Sequence, residues 1–176
     1  MTAVRDLVAG TADSLARQQA RVDVRTARAL AGDGWDARLA PADRAALALL
    51  GHFPAYAAEL DWTPREVAGH LRDSALVFTE RIYRMRTQDD PRLPDFLPTD
   101  PARVAGYRAV APVQLVEQLR AAQAALFRSV AGLRTDELDR TGVHETNGRL
   151  RLADVLTFLP GHQHDHAEQL AALLGG

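Results

Sequence analysis

Three of the six histidines in this sequence of 176 residues lie within five positions, in the run Leu159-Pro160-Gly161-His162-Gln163-His164-Asp165-His166-Ala167-Glu168-Gln169-Leu170. His162 and His166 are four apart. On a helix that spacing returns the chain to within roughly 40° of its starting direction. Two imidazoles then leave one face a turn apart, a common way to present a pair of metal ligands. His164 lies roughly 200° round the same wheel and should face outward. A catalytic divalent-metal site usually takes three protein ligands and leaves a position open, so a third ligand is needed. His70 is the candidate, as the remaining histidine on the apolar stripe of a long helix. It sits about seven residues, roughly 10 Å, inside its helix, and His166 sits about eight residues, roughly 12 Å, before the end of the last one. If the two helices are antiparallel neighbours, the three imidazoles come level. The bland alternative for each is a core histidine with an ordinary hydrogen bond. Three unpaired imidazoles meeting in a core would be costly without a metal.

The elements that must position these residues can be read from periodicity. Residues 3–31 carry a loose helical stripe through Leu7, Leu15, Val22 and Ala29, closed by Gly32-Asp33-Gly34. Residues 32–62 read as a long connection with helical turns, one opening at Pro41. Thr63-Pro64-Arg65-Glu66 is a helix start, with Thr63 as cap, Pro64 at the first position and Glu66 completing a capping box. Val67, His70, Leu71, Phe78, Ile82 and Met85 continue the 3.6-residue period to about Thr87. Five prolines between 88 and 112 bar a helix from crossing that segment. A third long helix follows over about 112–132. The last, about 151–174, places His162 and His166 where its stripe calls for leucine. Pro160 removes the backbone bond to the Leu156 carbonyl and should kink this helix. No convincing strand and no repeat is found. The expected fold is all-α, a single four-helix bundle domain over residues 1–176 with core helices at about 3–31, 63–87, 112–132 and 151–174.

Composition narrows the chemistry. The formal net charge is −2 and every basic residue is Arg, which argues against nucleic acid as a partner. There is no cysteine, so any metal must sit on His and carboxylate, and any thiol must come from outside. No signal peptide and no membrane-spanning run is recognised, so a cytoplasmic location is expected.

Trp62 to Asp73 with Phe78-Thr79-Glu80-Arg81-Ile82, then Asp90 to Phe96, then Thr141-Gly142-Val143-His144, Leu150-Arg151-Leu152 and His162 to Gln169 resemble, in that order, the motifs of the DinB/YfiT-like superfamily. This family is unrelated to the DNA polymerase of similar name. The match covers roughly residues 60–174. It implies an up-down-down-up bundle, often a homodimer. It also implies a divalent metal, zinc or nickel being typical, on the three histidines that fall here at His70, His162 and His166. The implied topology puts the ends of the first and last helices with the starts of the middle two. Trp35 and Tyr107 then become candidate pocket-lining residues, and His144 falls at the opposite end. Asp73, one turn after His70, is a candidate to orient an imidazole, or else an exposed charge paired with an Arg. Gln169 is a weaker candidate for the same task. Asp165 reads as a solvated face and His52 as loop surface.

Characterised branches of the family include thiol-dependent S-transferases using bacillithiol, mycothiol or glutathione. The resemblance therefore implies an external low-molecular-weight thiol, activated by the metal, attacking a small electrophile. Two alternatives share the ligands: a metal-dependent hydrolase acting through activated water, and a non-catalytic stress-related binding bundle. In the last, a fourth protein ligand such as Asp73 or His164 would close the site. Because the ligands must be neutral, metal binding should weaken as pH falls through about 6.

Overall fold

The structure is a computed structural model describing the backbone of residues 2–175 and the side chains of residues 7–175. In chain order it contains α1 (Thr2–Ala31), α2 (Pro41–Leu47), α3 (Pro64–Thr87), β1 (Arg92–Leu93), α4 (Pro101–Ala109), α5 (Pro112–Ala131), β2 (Thr141–His144), β3 (Gly148–Arg151) and α6 (Leu152–Leu174). The four long helices pack because each carries an apolar stripe that a single helix cannot bury. α5 and α6 each pack against both α1 and α3, which face each other across the diagonal.

Two apolar clusters fix the direction of each helix. One joins Val22 and Ala29 late in α1 to Val67 and Leu71 early in α3, Leu115 early in α5 and Leu170 late in α6. The other joins Leu15 early in α1 to Met85 late in α3, Val130 late in α5 and Leu152 early in α6. So α3 and α5 run against α1 and α6, giving an up-down-down-up four-helix bundle. Leu15, Leu71 and Leu126 are fully buried; truncating any of them to Ala should cost about 2–5 kcal/mol.

The helix starts follow local chemistry. Thr63 caps α3 by accepting from the Glu66 N–H, while the Glu66 carboxylate accepts from the Thr63 N–H at 2.7 Å, completing the expected box. Pro160 lies inside α6. The Leu156 carbonyl that it deprives of an intrahelical donor accepts instead from the Thr11 hydroxyl of α1, at 3.3 Å. The helix defect is thereby satisfied across the bundle.

Two expectations are corrected. A small sheet exists, with β1 parallel to β2 and β2 antiparallel to β3. Its strands are two to four residues long, too short to show alternation. Gly142 matters there, since a Cβ would stand 2.8 Å from the Leu93 side chain. In the proline-rich crossover, α4 fits between Pro101 and Pro112, with Pro101 in its first turn and the Asp100 side chain accepting from the Arg103 N–H. The prolines punctuate a helix here rather than forbid one. Among the described residues no helix is long and apolar enough to cross a membrane.

Candidate metal centre

The antiparallel packing of α3 and α6 brings His70, His162 and His166 together. Each offers a ring nitrogen, and these three atoms lie within 4.8 Å of one another. His70 Nε2 and His162 Nε2 are 2.9 Å apart. The edge of a tetrahedron around a zinc-sized ion is roughly 3.3 Å, so little adjustment would seat one. All three residues are buried. His70 Nδ1, His162 Nδ1 and His166 Nε2 have no hydrogen-bond partner among the described residues. Orphaned buried nitrogens are costly, and of these three His166 Nε2 is the one that an ion on the Nε2 atoms of His70 and His162 would satisfy.

The protonation of His166 follows from its neighbour. The Gln169 amide donates through Nε2 to the Glu59 carbonyl at 2.6 Å. Its Oε1 therefore faces His166 Nδ1, at 2.9 Å, and can only accept. His166 thus carries its proton on Nδ1 and presents a bare lone pair at Nε2. Burial pushes the pKa of all three imidazoles down. His162 falls to about 3, with the charge of His52 adding to burial. His70 and His166 lie well below the usual value, first by burial and then by the neighbouring imidazoles. All three are neutral near pH 7, the state a ligand requires.

A second set of side chains completes the site from the connection before α3. His52 Nε2 meets Glu59 Oε2 at 2.8 Å, and His52 Nδ1 meets Asp165 Oδ2 at 2.7 Å. Glu59 Oε2 lies 3.6 Å from His166 Nε2. His52, Glu59 and His166 form a second potential ligand group that shares His166 with the first. Burial opposes protonation of His52, but hydrogen bonds to Glu59 and Asp165 outweigh it, and its pKa is raised. The loop is pinned to α6 by Asp165, which also accepts from the His52 N–H at 3.0 Å. Gly51 permits that approach. It has φ +54°, and a Cβ there would collide with the Asp165 carboxylate.

Several expectations change. His52 is at the centre, not on loop surface, and Asp165 is buried, not solvated. Asp165 lies about 60° from His162 on the wheel, so its place at the edge of the histidine face was legible. His52 lies in a turn and Glu59 in a five-residue 3-10 helix, Ala57–Asp61, too short to carry a periodic signal. Asp73 touches no imidazole. It accepts from Arg72, Arg103 and the Tyr107 hydroxyl, and so ties α4 to α3. Trp35 and Tyr107 do not line the cavity at the histidines; both are packed in the core. Tyr107 fills the space that Gly69 leaves free. His164 is half exposed, beside Arg21 and Glu168.

The histidines open on a cavity of about 530 Å³ between α3 and α6, roofed by the crossover residues Phe96, Leu97 and Pro98. Phe96 stacks on His70 with ring centroids 5.9 Å apart.

The fold agrees with what is found among known proteins. No curated protein matches the chain. Among solved structures, YfiT from Bacillus subtilis superposes with a TM-score of 0.60 over 90% of this chain and 85% of that one, at 16% identity. YfiT is described as a probable metal-dependent hydrolase with an unusual four-helix bundle topology. The model of the DinB superfamily matches residues 3–170, nearly the whole sequence, and the chain belongs to that superfamily.

Proposed function

We propose that the protein is a metal-dependent hydrolase whose divalent cation, zinc or nickel, is held by His70, His162 and His166. The observation that carries this reading is the Glu59 carboxylate, 3.6 Å from the bare Nε2 of His166 and inside the same buried cluster. A divalent cation held there would supply Lewis acidity, polarising a carbonyl and lowering the pKa of a bound water towards neutrality. Glu59 Oε2, in the same cluster, would be the residue to accept a proton from water. His52, donating from Nε2, orients that carboxylate and balances its charge, and Asp165 orients His52 in turn. Gln169 holds His166 in the tautomer that ligates. The description of YfiT as a probable metal-dependent hydrolase supports the same chemistry.

The thiol-dependent S-transferase uses the same centre, and the cavity of about 530 Å³ has room for a small thiol beside an electrophile. One experiment separates the two. The zinc- or nickel-loaded protein is assayed against 4-nitrophenyl esters with and without bacillithiol, mycothiol or glutathione. Hydrolysis without thiol, abolished by a chelator and by His162→Ala, is expected. Turnover that needs a thiol would assign the transferase. Stoichiometric metal retained by His162→Ala in elemental analysis would sink the ligand assignment.

A further inference from the structure

The cavity has a second polar pole, far from the histidines. α3 lines one wall with His70, Ser74, Phe78 and Arg81, and α6 lines the facing wall with Val155, Phe158 and His162. Arg81 stands eleven residues along α3 from His70, roughly 16 Å of helix rise. The wall between is mostly apolar.

Arg81 is an incompletely used cation. Its Nη2 donates to the Pro94 carbonyl at 2.7 Å and to His144 Nε2 at 3.0 Å. Its Nε is buried with no partner, and among the described residues no carboxylate lies within ion-pair distance of it. The guanidinium is held 5.5 Å over the Phe78 ring. Because a guanidinium only donates, His144 Nε2 accepts; the Thr146 and Asn147 N–H groups meet the other ring nitrogen, Nδ1, at 3.3 Å. That nitrogen lies 3.2 Å from Asp95 Oδ1, while Asp95 Oδ2 accepts from the Thr146 hydroxyl at 2.6 Å. Asp95 is thus tied to the β2–β3 turn through the Thr146 hydroxyl. Asp154, also on the lining, is engaged by Arg151 at 3.1 Å. Arg81, with the charge of Asp95 acting on it from beyond ion-pair distance, keeps a buried Nε without a partner at the far end of an apolar channel from the histidines.

We propose that Arg81 is a carboxylate-binding subsite, with His144 its positioning residue, so that the substrate has an apolar body and a carboxylate at the end remote from the reacting bond. This rests on the reading of the histidine pole as the reactive end. A single planar fork suits a carboxylate; two aspartates nearby disfavour a dianion such as phosphate.

The test separates the two readings because its readout needs no metal. Octanoate and octanol are titrated into the metal-free protein by calorimetry. Octanoate is expected to bind about tenfold or more tightly, as a hydrogen bond to a charged group would give. The preference should vanish in Arg81→Gln and persist in His162→Ala. Equal affinities, no binding of either probe, or a preference that survives Arg81→Gln overturns the subsite. If thermal melting shows that Arg81→Gln does not fold, Arg81→Lys, which keeps the charge but loses the fork, should reduce the preference several-fold. An unreduced preference there also overturns it. Should octanoate bind as expected while no ester is hydrolysed, the reactive-end reading fails and the anion subsite stands.

Discussion

The two poles of the cavity use one device with opposite results. At the bundle's histidine end, Asp165 holds His52 against Glu59; at the sheet end, Asp95 holds His144 against Arg81. In both, a carboxylate lies against one ring nitrogen, which at His144 also meets the Thr146 and Asn147 N–H groups, and the other nitrogen addresses a charged group lining the cavity. The second partner decides the charge. Burial disfavours the imidazolium at both. Two carboxylates override it at His52, whose pKa is raised, whereas the guanidinium beside His144 adds to burial and the pKa is lowered despite Asp95. His52 therefore donates to a carboxylate, and His144 accepts from a cation. The same residue type orients a proton acceptor at one pole and an anion receptor at the other.

The comparison can be broken first at the histidine pole. His162→Ala should reduce bound metal from one equivalent to background by elemental analysis and remove activity with it, while the octanoate preference at the other pole remains. Glu59→Gln should keep the metal and lower kcat by about 10²–10⁴-fold, the range for loss of a general base. Unchanged kcat would remove Glu59 from the chemistry.

Acid should expose the buried imidazoles of the metal-free protein. His70, His162 and His166 have lowered pKa values in the folded state. Their contribution is complete above the unfolded value near 6.5 and is lost as pH falls below it, because the unfolded chain then binds protons that the folded chain refuses. The slope is about 1.4 kcal/mol per pH unit for each imidazole. Urea unfolding at pH 7.5 and 5.5 should show the loss, and His162→Ala should flatten it. His52 works in the opposite sense, its contribution being lost as pH rises through its raised value. The same pKa values revise the expected acid limit of metal binding, which should persist below pH 6.

Gln169→Leu should weaken metal binding by about 10–100-fold, the usual cost of losing a residue that orients a ligand. Competition with a chromophoric chelator measures it. Thr11→Val, far from either pole, should cost about 1–3 kcal/mol by leaving the Leu156 carbonyl unpaired beneath Pro160; urea unfolding reads this directly. A loss confined to stability would separate the helix defect from the metal site.

The long helices and the histidine face were legible because a helix repeats every 3.6 residues. Val67, Leu71, Ile82 and Met85 on α3 mark one side of a cylinder, and His162 and His166 stand on such a side in α6. The capping box at Thr63 was legible because its partners are three residues apart. Gln169, one turn beyond His166, was within reach of the same arithmetic. His52, Glu59, Arg81 and His144 were not assigned to the cavity. His52 lies in a turn and Glu59 in a short 3-10 helix, Arg81 flanks the α3 stripe as an ordinary surface arginine would, and His144 sits in a four-residue strand. Trp35 and Tyr107 were placed by topology alone, which gives the end of the bundle but not the direction of a side chain, and Asp73 by its spacing of one turn from His70, which does not tell an imidazole partner from an arginine.

By itself the sequence determined what local periodicity encodes: four amphipathic helices, and three imidazoles that meet if the outer pair of directions opposes the inner. Only the tertiary structure decided how the segments connecting the long helices fold back on the bundle. Contacts such as Asp165 with His52, or Arg81 with His144, join residues 113 and 63 positions apart. No repeat along the chain records such a distance. It is set by where the connecting loops can bury their own polar groups against the helices, through turns as specific as Gly51 beside Asp165.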